Sequence, residues 1–189
     1  MDSALIVSNT DKSIAFFTEM LSSASIDQIV TLRSCGEARR LLLERDFDLV
    51  IINSPLPDES GESLSCHIAA KGISQVILVV RSEHFEEVSA ITEEYGVLTV
   101  SKPINKALFW SALKLARSAC LRLKRMQTEN SRLKQKIEDI RVVDRAKCIL
   151  ISYLSMSEKE AHRYIEKQAM DMRLTKRMVA EGILKMYEY

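Results

Sequence analysis

Glycine and proline are scarce in this chain, with five and three among 189 residues. So few glycines leave no Gly-rich loop of the kind that cradles a nucleotide phosphate. No apolar run approaches the roughly 20 residues that span a bilayer; the longest, VILVV, covers only 76–80. The start, Met1-Asp2-Ser3, has no basic segment ahead of an apolar one, so no secretory signal is expected. Cys35, Cys66, Cys120 and Cys148 are scattered, without CxxC or metal-ligand spacing. They read as reduced thiols of a cytoplasmic protein, used as small hydrophobes. His67, His84 and His162 have no spacing for a metal or a catalytic pair. No catalytic residue, metal or cofactor is therefore expected, and no membrane association.

What is present is ordinary in bulk and uneven in distribution. Hydrophobic residues make up 47% and the mean hydropathy is −0.05, values of a folded globular chain. The net charge of +1 hides a split. Residues 1–110 hold 9 Lys+Arg against 16 Asp+Glu, and 111–189 hold 18 against 10. An acidic half joined to a basic half points to a polyanion partner for the second half alone, or else to a solvated charged surface.

The first 110 residues alternate short apolar runs with amphipathic segments. The spacing predicts strands at 4–8, 26–32, 49–53, 76–80 and 97–100. It predicts helices at 12–22, 37–45, 63–71 and 85–94, and another from about 105. Five such strands imply an α/β domain, a doubly wound parallel sheet covered on both faces. Chemistry in these sheets sits at strand carboxyl ends. Here those ends carry Ser8 and Asn9, Asn53, Val80, and Ser101 with Lys102.

The stretch DLVIINSPLPDESG at 48–61 resembles the phosphorylation strand and following loop of response-regulator receiver domains. Val100-Ser101-Lys102-Pro103 resembles their last strand and Lys-Pro turn. The resemblance covers about residues 3–118 and implies a (βα)5 fold. It also implies a Mg²⁺ site made by an acidic pair after the first strand and by a phosphoacceptor aspartate after the third. A Thr or Ser follows the fourth strand, and a Lys the fifth. Here Ser8 and Asn9 stand at the acidic pair, Asn53 at the phosphoacceptor and Val80 at the Thr/Ser position. Thr99 replaces the switch aromatic, and Lys102 alone remains. Mg²⁺ requires charged oxygen ligands, and an amide cannot form an acyl phosphate. A pseudo-receiver that is not phosphorylated is expected, with input from a sensor protein or a small ligand.

From 112 to 144 there is no Pro or Gly. Leu123, Asn130 and Ile137 fall at heptad position a, and Met126, Leu133 and Ile140 at d. One Asn at a suits a parallel two-stranded coil, where it sets register at some cost in stability. Across such a dimer Glu129 would attract Lys134, and Lys136 would repel Arg141. An amphipathic helix folded onto its own domain is the competing reading.

The C-terminal part reads as three helices. The first runs to about 153 and is expected to bury Ile140, Val143, Leu150, Ile151 and Leu154. Ser157 with Glu160 forms a capping box that opens the second, which is expected to bury Ala161, Tyr164, Ile165, Ala169 and Met172. A third, from about 175 to 187, is expected to bury Val179, Ile183 and Met186. Cations group as Arg141 and Arg145, then Lys159, Arg163 and Lys167 four apart, then Arg173, Lys176 and Arg177. Such patches suit phosphate tracking, although Glu158, Glu160, Glu166 and Glu181 dilute them. Ala146-Lys147, Ala161, Ala169-Met170 and Ala180 resemble, in order and spacing, the ANTAR domain of bacterial transcription antiterminators. Cys148 stands where that family has Gly.

The resemblance implies binding to leader RNA hairpins that keeps a terminator from forming; with the heptad seam a dimer is expected, and Lys147 is a first candidate contact. Tyr187 and Tyr189 are weak candidates for stacking on bases. The expected organisation is a receiver-like domain over 1–118, a coiled-coil dimerisation helix over 119–140 and an ANTAR RNA-binding domain over 141–189. The rivals are a DNA-binding response-regulator-type factor and a protein-interaction adaptor. The first usually has a short, often Gly-containing turn between its helices, yet 155–173 contains no glycine.

Overall fold

A computed structural model describes residues 1–187; Glu188 and Tyr189, including that stacking candidate, lie outside the described residues. The chain forms β1 (Ser3–Val7), α1 (Asp11–Ser23), β2 (Gln28–Leu32), α2 (Cys35–Glu44), β3 (Leu49–Asn53) and α3 (Glu62–Ala70). There follow β4 (Gln75–Arg81), α4 (Phe85–Thr92), β5 (Leu98–Lys102), α5 (Lys106–Leu154), α6 (Glu158–Met172) and α7 (Lys176–Tyr187). The first compact unit is Met1–Arg125, and the second begins at Met126.

The strands form one parallel sheet in the order β2-β1-β3-β4-β5. β3 is buried at every residue, because both faces of the sheet are covered. Alternate side chains serve two cores. Ala4, Ile6, Ile51 and Ile77 pack against Phe17 of α1 and Phe109 of α5. Leu5, Val50, Ile52 and Leu78 pack against Ala38, Leu64 and Val88 of α2, α3 and α4. The order reverses at β1, between β2 and β3, the switch point where ligands of such sheets gather. The pairing of Val7 with Ile52 places Ser8 and Asn53 side by side there.

One glycine is required by the geometry. Gly61 has φ +89 at the start of α3, and a Cβ there would meet Ile52 Cγ2 at 2.7 Å. No L side chain fits without displacing the core. α5 enters the first unit through Phe109, Leu113, Ala116 and Cys120, all buried. Lys124 then reaches Asp48 Oδ1 at 2.7 Å, so the compact unit extends past the expected residue 118. Burial alone would raise the Asp48 pKa. The Lys124 and Asp2 hydrogen bonds outweigh it and hold the carboxyl below its ordinary value.

The second unit packs Ala146 and Leu150 of α5, Ala161, Ile165 and Ala169 of α6, and Val179, Ala180, Ile183 and Leu184 of α7. Several expected core positions are corrected. Ile140, Ile151, Leu154, Tyr164, Met172 and Met186 are exposed. Alanines at 146, 161, 169 and 180 bring the helices close together, so the longer flanking side chains fall outside the contact. Met172 is the last residue of α6, where the helix offers no further turn to cover it. The Ser157–Glu160 capping box forms as expected.

Candidate functional site

Two regions carry the chemistry, one in each unit. At the carboxyl ends of β1 and β3, Asn53 Nδ2 donates to Ser8 Oγ across 2.9 Å. Both residues are buried. Among the described residues Asn53 Oδ1 has no hydrogen-bond partner, which for a buried acceptor costs about 1–3 kcal/mol. Lys102 Nζ donates to the Ser54 carbonyl oxygen. Burial pushes the Lys102 pKa down, and nearby Arg81 adds to the shift. Val80 is apolar and buried, Asn9 is exposed, and Thr99 Oγ1 lies 2.9 Å from Thr92 Oγ1. The donors brought together are an amide, a hydroxyl and a carbonyl, without a carboxylate among them. This set does not fit Mg²⁺, which is held by charged oxygens.

Cys35, Asp58 and Glu59 place ligand-type atoms within 4.8 Å of one another. Each already has a structural task. Asp58 accepts from the Gly36 and Cys35 backbone N–H groups at 2.8 and 3.0 Å, which lowers its pKa and caps α2 from another loop. Glu59 pairs with Arg39 at 2.8 Å. The Cys35 thiol is pushed up to about 12 by burial and by the two carboxylates, so it keeps its proton at neutral pH.

In the second unit the cations divide into two sets. Lys147 lies between Asp144 at 2.8 Å and Glu158 at 3.0 Å, with only 16% of its side chain exposed. Arg177 bridges Asp139 and Glu181, each at 2.7 Å, and Lys176 pairs with Glu166 at 2.5 Å. The paired carboxylates raise the pKa values of Lys147 and Arg177. Arg141 sits 3.8 Å from Glu138, and Arg145 is exposed. Several of these pairs fasten α5 to α6 and α7.

The other set faces solvent. Lys159, Arg163 and Lys167 project from one face of α6, opposite Ala161, Ile165 and Ala169. Arg173 caps the helix. Among the described residues these four cations have no side-chain hydrogen bond or ion pair. Arg173 holds φ +55, a left-handed conformation that glycine adopts without strain and arginine does not. Met170, exposed, continues the stripe. Periodicity reveals only part of this division: Asp144 and Glu181 pair with Lys147 and Arg177 along the same helix, whereas Glu158, Asp139 and Glu166 reach their cations from another. Tyr187 packs on Tyr153 with ring centroids 5.3 Å apart, which engages one face of that stacking candidate.

Along α5, Met126, Asn130, Leu133, Ile137 and Ile140 are exposed, and Leu123 is half-buried. In a single chain this heptad seam is uncovered.

Comparisons with known proteins bear on both units. Residues 131–184 match the ANTAR domain family. The chain is 28% identical over 167 residues to the transcriptional regulatory protein PdtaR of Mycobacterium tuberculosis, covering 88% of this chain and 82% of that protein. Among solved structures, a two-component transcriptional regulator AraC of Clostridium phytofermentans superposes with TM-score 0.59 at 20% identity. That match covers 66% of this chain and 98% of the other. The signal receiver domain of an HD domain-containing protein from Pseudomonas fluorescens gives 0.55 at 22%, covering 69% and 93%. These structural likenesses establish the receiver fold of the first unit.

Proposed function

We propose that this response-regulator-type transcription regulator, a receiver fold followed by an ANTAR domain at 131–184, binds hairpins in leader RNA as a dimer and promotes antitermination. The observation that carries the reading is the outward stripe of Lys159, Arg163, Lys167 and Arg173, cations not neutralised by acids of their own unit. Free cations release counterions from a nucleic-acid backbone on binding; cations already paired must first give up a partner. Lys147, Lys176 and Arg177 therefore hold the bundle's shape, while the α6 stripe meets phosphate. Loop nucleotides of a hairpin expose their base edges, which the deep major groove of duplex RNA withholds.

Dimerisation rests on α5. Covering Met126, Leu133, Ile137 and Ile140 with a second copy removes a contiguous apolar strip from water. Asn130 at an a position favours two strands in register. Two bundles then present two stripes, matched to paired loops in one leader.

The first unit supplies a folded input platform without phosphoryl chemistry. Its strand ends lack the carboxylates that would hold a metal and accept a phosphoryl group. A sensor protein or small ligand takes the place of phosphorylation.

The test is a gel-shift series on the full chain with hairpin RNA and duplex DNA of matched length. Preferential RNA binding that is lost in Arg163→Glu supports the reading. Equal or better binding to duplex DNA favours a DNA-binding factor, and binding to neither favours a protein adaptor.

A further inference from the structure

Away from the strand ends, the first unit has a semi-enclosed pocket of about 180 Å³ between the C-terminal halves of α2 and α3. Leu42, Leu64 and Ile68 line it, and Leu43 and Ile73 stand at its mouth. Leu43 is 82% exposed and Ile73 47%, two large apolar groups left in water beside an apolar hollow. The rim carries two cations, Arg40 and Lys71, with the His67 imidazole beside them, against a single acid, Asp46. Neither cation forms an ion pair among the described residues, whereas neighbouring Arg39 is held by Glu59.

We propose that this pocket is a binding site for a small carboxylate with an apolar ring or short acyl body. The volume suits such a molecule, because a dry cavity of about 150 Å³ accepts a benzene-sized ring. The apolar floor takes the body, and Arg40 and Lys71 face the carboxylate. The opening lets the charged end remain in water. Ligand sites of this kind combine an apolar lining with a few convergent polar groups. The site is built without the strand-end residues and without α6, so it stands or falls independently of RNA binding. It gives the first unit a chemical input that needs neither metal nor phosphoryl transfer.

The test uses the full chain with methyl-labelled Leu and Ile, titrated with benzoate and, separately, with benzamide. The proposal expects saturable shifts of the Leu42, Leu43, Leu64, Ile68 and Ile73 methyl signals, with a Kd on the order of 0.1–1 mM for so small a ligand. Benzamide should bind several-fold more weakly. Arg40→Glu with Lys71→Glu, both on the surface, should weaken benzoate about tenfold and leave benzamide unchanged. Ile73→Trp, which fills the mouth, should abolish both while the remaining methyl spectrum stays folded. Shifts absent at about 10 mM, shifts centred elsewhere, or equal benzoate affinity in the charge-reversed variant would each overturn the proposal.

Discussion

Asn53 Nδ2 donates to Ser8 Oγ across 2.9 Å at the switch point of the parallel sheet, closing with a neutral hydrogen bond the place where two strand ends converge. Restoring one carboxylate there does not restore a metal site, since Ser8 and Asn9 still supply only neutral oxygens. Asn53→Asp is therefore expected to remain unlabelled by acetyl phosphate in Mg²⁺, as judged by intact mass. Ser8→Asp, Asn9→Asp and Asn53→Asp together are expected to gain Mg²⁺ affinity. Labelling of the single variant at a rate typical of receivers would contradict this account of the site.

The uncovered α5 seam predicts a second consequence. Leu133→Asp puts a charge at a d position of the dimer, facing its own copy. Sedimentation should show the wild type as a dimer and the variant as a monomer, with the far-ultraviolet spectrum of both units retained. A wild type that sediments as a monomer at tens of micromolar would remove the dimer from the account.

Arg173 offers a way to separate fold from binding. At φ +55 glycine is the better residue, so Arg173→Gly should stabilise the bundle by about 0.5–1 kcal/mol. The same change removes one free cation and should weaken hairpin RNA binding severalfold. Loss of both stability and binding would mean that the side chain has a structural role instead.

Acid should loosen the second unit. The Glu160 pKa is held down by the Ser157 backbone N–H and hydroxyl, Glu166 by Lys176, and Asp139 by Arg177. Carboxyls with lowered folded pKa values contribute stability above the ordinary carboxylate range and lose it as pH falls through the folded values. Melting temperature should stay level near neutrality and fall below about pH 4.5. Ser157→Ala should cost about 1 kcal/mol at pH 7 and flatten part of that acid limb. An acid limb of unchanged depth in the variant would separate the cap from the pH response.

Much of this was legible from residues. The strands at 49–53 and 76–80 are short, β-branched, continuous apolar runs bounded by polar residues, the pattern of strands in a sheet covered on both faces. The Ser157–Glu160 box marked the start of α6 by its spacing alone. Bundle burial was less legible, because close helix contact is made by alanines. Periodicity weights Ile151, Tyr164 and Met186 by their size, yet Ala146, Ala161 and Ala180 set the contact. The division of the cations was only partly legible for a related reason. Lys147 has Asp144 one turn before it, which the sequence shows, but the second clamp, Glu158 from α6, is placed beside it only by folding. The carboxylate pocket left no signal, since its lining comes from two helices and a loop joined only by folding.

The most direct measurement is the salt dependence of hairpin RNA affinity for the wild-type chain and for Arg163→Glu/Lys167→Glu. Four free cations on each bundle predict a wild-type slope of log K against log salt near −3 per engaged bundle, reduced in magnitude by about 1.5 in the double variant. A slope that is shallow in the wild type, or identical in the two proteins, would contradict the claim that this stripe grips RNA.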